Sequence, residues 1–198
     1  MLDDAVARAR LGDEAAFAAL WRWLQPGLLR SLAATEPGHA EDVAGEVWVD
    51  VARGISTFEG TATAFRSWVF TLARRRAVDA GRRRSRRVRS VPLHDLEAPV
   101  DDDSATAMVA RQSLEAALAM VAALPPDQAE VVTLRVIGEL TVTEVAAVVG
   151  KSEGAVRALS HRGLRALARR LATTDAARGR NAEPPVSALY GDEADRGR

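Results

Sequence analysis

Arg157 and Glu153 stand four residues apart in the run LTVTEVAAVVGKSEGAVRALSHRGLRALARRL, residues 140–171. An arginine can donate two parallel hydrogen bonds to guanine and a glutamate can accept one from cytosine. A pair on one helical face therefore suits the recognition of base edges in a DNA major groove. Ser152, just before them, brings backbone amides to where a phosphate can sit, and His161 and Arg162 continue the surface. Arg165, Arg169 and Arg170 follow and suit backbone phosphates, whose attraction depends on salt and not on base sequence.

A second set interleaves aromatic rings with charge: Phe65, Arg66, Trp68 and Phe70, then Arg74, Arg75, Arg76 and Arg82 to Arg84. Aromatic faces stack on unpaired bases while arginines hold the strand beside them. The i, i+3 spacing of Phe65 and Trp68 suits a helix core equally well. Asp79, inside the arginine tract, fits an ion-pair partner that orients Arg75 or Arg83 better than a catalytic acid. A third set is acidic. Asp42, Glu46 and Asp50 recur at every fourth position and share one helical face, which repels DNA and suits a basic protein partner or simple solubility.

Helices must position all three sets. Phe17, Leu20, Trp21 and Leu24 have helical spacing, with Pro26 marking a kink or break, and Val43, Val47 and Val51 repeat the period after Glu36-Pro37-Gly38. Beyond the loop FEGTATA, Phe65, Trp68, Val69 and Leu72 form the stripe of a third helix that runs on into the arginines. Three amphipathic helices can bury one another, so residues 1–89 are expected as a first helical domain. Residues 90–104, with two prolines and five acids after Ser90, read as a flexible linker. A second domain is expected over 105–172: a helical pattern from Ala105 breaks at Pro125-Pro126 and continues through two more helices. Thr141 with Glu144 is a capping box, Gly150 stops that helix and Ser152 caps the next. The short turn between them, with small Ala146 and Ala147, makes a helix-turn-helix in which Val156, Leu159, Leu164 and Leu167 face inward. Residues 173–198 read as a polar tail in which Val186, Leu189 and Tyr190 suit a short docking segment. The fold class is all-α, two small helical domains.

Charge follows the same divisions although its total is zero. Residues 1–60 carry 10 acids and five arginines, 74–89 nine arginines against Asp79, 90–130 eight acids and one arginine, and 131–172 seven basic and three acidic residues. Such segregation places two basic surfaces on a polyanion and keeps acidic ones for another partner. The absence of cysteine excludes disulfides, a thiol nucleophile and cysteine metal sites. No segment approaches the ~18 apolar residues of a membrane span and MLDDAVARAR is no secretory signal, so a cytoplasmic protein without membrane insertion is expected. His39, His94 and His161 lie in separate units, and there is neither a P-loop nor G-x-G-x-x-G. No catalytic residue, metal or cofactor is expected, and the alternative to be weighed is a helix-turn-helix repressor or activator that acts without polymerase.

The paired segments HAEDVAGEVWVDVARGISTFEGTATAFRSWVFTLARRRAVDAGRRRSRR (39–87) and LPPDQAEVVTLRVIGELTVTEVAAVVGKSEGAVRALSHRGLRALARRL (124–171), in this order, closely resemble a bacterial RNA polymerase sigma factor of the extracytoplasmic-function (ECF) class of the sigma-70 superfamily. The resemblance implies that the first segment is region 2, which docks on the clamp helices of core polymerase and melts and reads the −10 element. The second is then region 4, which reads the −35 element and touches the flap. Position by position, it puts core contact at Asp42, Glu46, Val49 and Asp50. It puts −10 work at Phe65, Trp68, Arg74, Arg75, Asp79, Arg82 and Arg83, and −35 contact at Ser152, Glu153, Arg157, His161 and Arg162. It further implies that the acidic linker threads toward the RNA exit path, and that an anti-sigma factor is a partner beside core polymerase and promoter DNA. Two positions depart from the family pattern. Arg75 stands where Asn is common, and Leu159 where a basic residue is common, which shifts phosphate contact toward Arg157 and Arg162.

Overall fold

The computed structural model describes residues 1–36, 38–87 and 105–180. The expected linker, with His94, lies outside the described residues, as does the tail from 181 onward. Helices α1 (Leu2–Arg10), α2 (Glu14–Thr35), α3 (Ala40–Gly54) and α4 (Ala62–Arg87) come first, with a 3₁₀ turn at Ile55–Thr57 before α4. α5 (Ala105–Ala122), α6 (Pro126–Val136), α7 (Val142–Val149) and α8 (Glu153–Arg180) follow, and the described residues contain helices and no strands.

The first four helices bury Leu20, Leu24 and Leu28 of α2, Val43, Val47 and Val51 of α3, and Phe65, Val69 and Ala73 of α4 in one cluster. Asp13 starts α2 by accepting from the Ala16 amide at 2.9 Å. α2 runs unbroken past Pro26, which makes the expected kink or break no interruption of the helix. Trp21 points outward, and Trp48 takes an inner place, its indole N–H donating to Gln25 Oε1 at 2.6 Å. Asp3 reaches from α1 to accept the Ala62 amide at 2.5 Å, which ties the start of α4 to α1.

After Pro125-Pro126 there are three helices, not two. Residues 126–136 form α6, for which Pro126 serves as a first-turn residue. The turn from α6 to α7 is held by Arg135, whose guanidinium donates to the Leu140 carbonyl at 2.7 Å. α7 begins with the capping box of Thr141 and Glu144 and ends at Gly150, whose φ of 68° favours glycine. Ser152 Oγ then accepts the Ala155 amide at 3.2 Å and starts α8. The turn positions Lys151 against Asp127 of α6 at 3.0 Å. α8 passes close to α6 at Gly163, where a Cβ would lie 2.6 Å from Val132 Cγ2.

Inward residues of the helix-turn-helix are Val145, Val148, Val149, Val156 and Leu159, with Val131, Leu134 and Leu140 beneath. Leu167 packs beside a smaller cluster of Leu124, Ala129 and Val132. Leu164, expected inside, is exposed; of the two small residues expected to permit the close helix approach, Ala146 packs against the cluster and Ala147 is exposed. α8 also continues through Arg180, beyond the expected end near Leu171.

The two groups of helices do not stand apart. α4 packs on α7, and α2 on α5 and α6. Phe70 of α4, 2% exposed, belongs to the hydrophobic cluster of the helix-turn-helix.

Candidate nucleic-acid interface

The start of α8 presents an exposed polar surface whose parts are already ordered. Glu153 Oε1 accepts the Thr143 hydroxyl at 2.7 Å, and Glu153 Oε2 accepts Arg157 at 2.6 Å. The Thr143 hydroxyl and then the Arg157 guanidinium hold the Glu153 carboxyl below its ordinary range. A residue of α7 thus orients the acid at the head of α8, and that acid orients the arginine one turn later. Ser152, Arg157, His161 and Arg162 are exposed along the same helix. Such a surface, at the start of a capped second helix, can offer donors and an acceptor to base edges in a groove.

Leu159 is 9% exposed and lies inside the helix-turn-helix core, so phosphate contact near this point falls to its exposed neighbours Arg157 and Arg162. Arg170, expected along the phosphate backbone, turns back instead. It donates to the carbonyls of Met120 and Ala123 at 3.1 and 2.9 Å and closes the end of α5.

The α4 tract is divided among three neighbourhoods. Phe65 is fully buried, edge-on to Phe58 at 5.5 Å between ring centres, and it has no free face for a base. The expectation that Phe65 works on the −10 strand is corrected by this: its position on the α4 stripe places it in the core. Trp68 is half-buried and stacked on Phe58 at 5.1 Å, and the edge of its six-membered ring lies against Gly54. Asp79 pairs with Arg82 at 3.9 Å, one turn away, in place of the expected Arg75 or Arg83. Arg75, Arg82 and Arg83 are exposed.

Arg76 and Arg83 point to α3. Arg76 donates to both oxygens of Asp50 at 2.5 Å and to Glu46 at 3.3 Å, and Arg83 reaches Glu46 at 3.3 Å. Hydrogen bonding to Arg76 draws the Asp50 carboxyl below its ordinary value, although burial opposes the shift. Asp50 and Glu46 thus have a basic partner within their own domain, whereas the sequence suggested a basic partner outside it. Arg84 similarly pairs with buried Glu36. Asp42 and Val49 remain exposed beside this network.

The third neighbourhood, Arg66, Ser67, Phe70 and Arg74, faces the second group of helices. Ser67 Oγ donates to Glu144 Oε1 at 2.9 Å and Arg74 Nε to Glu130 Oε1 at 2.6 Å, while Arg66 approaches Glu139 at 3.5 Å. Burial pushes the Glu144 carboxyl up, but bonds from Thr141 and Ser67 outweigh it and leave the group below its ordinary range. Sequence inspection missed this face because it followed one stripe, Phe65, Val69 and Leu72. Ser67, Phe70 and Arg74 form a second stripe at the same period, and an aromatic outside the first stripe was its signal.

Two family models match in chain order: Sigma-70 region 2 over residues 27–87 and Sigma-70, region 4 over residues 114–167. The ECF RNA polymerase sigma factor ShbA of Streptomyces griseus is 35% identical over 170 residues, covering 80% of this chain and 89% of its own. The chain belongs to the ECF sigma factors of the sigma-70 family. The ECF sigma factor BldN of Streptomyces coelicolor is 33% identical over 169 residues, a stretch that is 84% of this chain but 64% of BldN. The sigma factor RpoE in complex with the anti-sigma factor NepR from Bartonella quintana shares the fold, with a TM-score of 0.62 at 19% identity over 78% of this chain and 96% of that one. Sigma factors direct core polymerase to promoters, and that is the role the family assigns here. Among the described residues no cluster of metal-binding side chains occurs, and no helix is long and apolar enough to cross a membrane.

Proposed function

We propose that this sigma factor reads the −35 element with the exposed start of α8 and holds the −10 strand with α4. The observation that carries the proposal is the chain from Thr143 through Glu153 to Arg157, which presents an arginine and a carboxylate at the head of a capped helix. Arg157 and Glu153 contact base edges, Ser152 and Arg162 contact phosphates, and His161 borders the same groove. On α4, Arg74, Arg75 and Arg82 hold the unpaired strand, Asp79 steers Arg82, and half-buried Trp68 is the aromatic that meets a base.

Core polymerase meets the exposed residues of α3, chiefly Asp42 and Glu46 with Val49 one turn beyond, and Asp50 fixes Arg76 and so the angle between α3 and α4. Residues 1–89 form the −10 and core-binding unit, 105–172 the −35 and flap-binding unit, and 90–104 the tether. The partners are core polymerase, promoter DNA and an anti-sigma factor of the kind RpoE binds as NepR. The chain performs no chemistry of its own and works in the cytoplasm.

The test is reconstitution. Purified chain added to core polymerase should produce promoter-dependent transcripts whose mapped starts share −10 and −35 sequences. A repressor or activator that acts without core would confer no such starts, and that result would overturn the proposal.

A further inference from the structure

Helices α2, α4 and α6 leave a cleft of about 450 Å³ between them. Its size falls within the roughly 300–1,000 Å³ of small-molecule sites. The walls are mostly apolar: Leu32 of α2, Phe70, Ala73 and Ala77 of α4, and Ala129 and Leu134 of α6. All six side chains are buried, so ordered core and not loose surface bounds the space. Three of them are alanines, whose methyl groups are too short to fill it, and interiors packed to ordinary density do not keep such gaps.

Polar groups interrupt the walls at two places. Glu36, which follows the last turn of α2, keeps a side chain only 10% exposed. Arg84 holds its Oε2, while Oε1 lies on the side of Gly81, 3.9 Å from where a Cβ would stand, and accepts no hydrogen bond from the described residues. Thr133 of α6 borders the same cleft at 1% exposure, and its hydroxyl has no partner among the described residues. Buried polar groups ordinarily have partners, so two unmet ones on one cleft mark a site that a further molecule completes.

Charge decides the kind of molecule. Glu36, Asp127 and Glu130 border the cleft and outnumber Arg74, which already donates to Glu130. An anion would lie against carboxylates, and a purely apolar molecule would leave Glu36 Oε1 unmet. We propose that the cleft between α2, α4 and α6 binds a small amphipathic amine, whose ammonium donates to Glu36 Oε1 while its apolar body lies against Phe70, Ala77 and Leu134. Occupancy couples the stability of the folded chain to the concentration of the amine by mass action.

The test uses the full chain without DNA or polymerase, titrated calorimetrically with three molecules of similar shape: 2-phenylethylamine, 2-phenylethanol and 3-phenylpropanoate. The amine should bind about tenfold more tightly than the alcohol, because a hydrogen bond between ions is about twice as strong as a neutral one. The carboxylate should bind most weakly of the three. Adding the amine should also move the methyl resonances of Ala73, Ala77 and Ala129. Ala77→Leu cuts no ion pair and should weaken the amine by about tenfold or more, since its added carbons take the volume the ring needs. Glu36→Gln should bring the amine to the affinity of the alcohol. That variant also leaves Arg84 without its partner, so where it fails to fold Ala77→Leu decides, and where Ala77→Leu fails Glu36→Gln decides. No binding of the amine at millimolar concentration, equal binding of amine and carboxylate, or affinity indifferent to Ala77→Leu would overturn the site.

Discussion

Arg76 closes on Asp50 with two hydrogen bonds, Nε to Oδ2 and Nη2 to Oδ1, each at 2.5 Å. This fork joins the acidic face of α3 to the basic tract of α4, and Glu46 extends it by bridging Arg76 and Arg83. Much of the opposition between acidic and basic blocks along the chain is thereby satisfied inside one domain. Asp42 remains exposed beside this network, and Glu46 stays partly open to solvent.

Asp50→Asn should therefore lower stability, by about 1–2 kcal/mol for a lost charge-assisted fork that is partly shielded from water. Arg76 holds the Asp50 carboxyl below its ordinary value of 3.8. The stabilisation is present above that value and lost as pH falls through the depressed one. Thermal unfolding of wild type and variant should differ at pH 7 and begin to converge only as the pH falls below 3.8 toward the depressed value. A gap of constant size across that range would show that the fork does not couple to the charge of Asp50.

Phe65 should behave as a core residue. Phe65→Ala should destabilise the first domain by about 3–5 kcal/mol, and Phe65→Leu by less. Per folded molecule, Phe65→Leu should leave −10 strand binding unchanged. Denaturant titration combined with fluorescence anisotropy on the single strand separates the two effects. A loss of affinity in a fully folded Phe65→Leu protein would return this ring to the DNA surface.

How far these roles were legible in sequence depends on whether local spacing decides them. Thr141, Glu144, Gly150 and Ser152 act within their own turns, and each cap stands where the residue type required it. The stripe of Val43, Val47 and Val51 likewise declares its buried face by period alone. Residues 126–136 form a separate helix where two adjacent prolines suggest only a break, because Pro126 is a good first-turn residue. Partners distant in sequence were less legible. Arg74 can pair with any acid that the fold brings near, and Glu130 lies 56 residues away. Arg170 faced the same ambiguity, since a carbonyl at a helix end attracts a guanidinium as a phosphate does.

On the −35 side, Arg157→Ala should weaken promoter recognition by about 1–3 kcal/mol while leaving core binding intact, and should matter less on templates altered at the contacted base pair. Glu153→Ala should have a different signature, because it releases Arg157 from its 2.6 Å partner and frees Thr143. Specificity at the contacted position should relax more than total affinity falls. Binding of both variants to cognate and substituted −35 duplexes checks this. Equal loss for Arg157→Ala on every template would assign that guanidinium to phosphate.

The division of labour between the two domains supplies the most demanding prediction. Arg75 is exposed and Arg74 half-buried against Glu130, on a helix that carries half-buried Trp68 one to two turns earlier. Unstacking a base step costs a few kcal/mol, and stacking on an aromatic with a guanidinium alongside returns about 1–3 kcal/mol per base. Capture by α4 is thus of the right size to drive separation of the strands. Arg74→Ala with Arg75→Ala should lower open-complex formation on duplex promoters, and much of the loss should be recovered when the −10 region is supplied already unpaired. The same double substitution also removes the Arg74–Glu130 ion pair. A net loss confined to duplex templates would assign the arginines to melting. An equal defect on duplex and premelted DNA, with normal core binding, would assign them to general DNA affinity and remove the link between capture and strand separation.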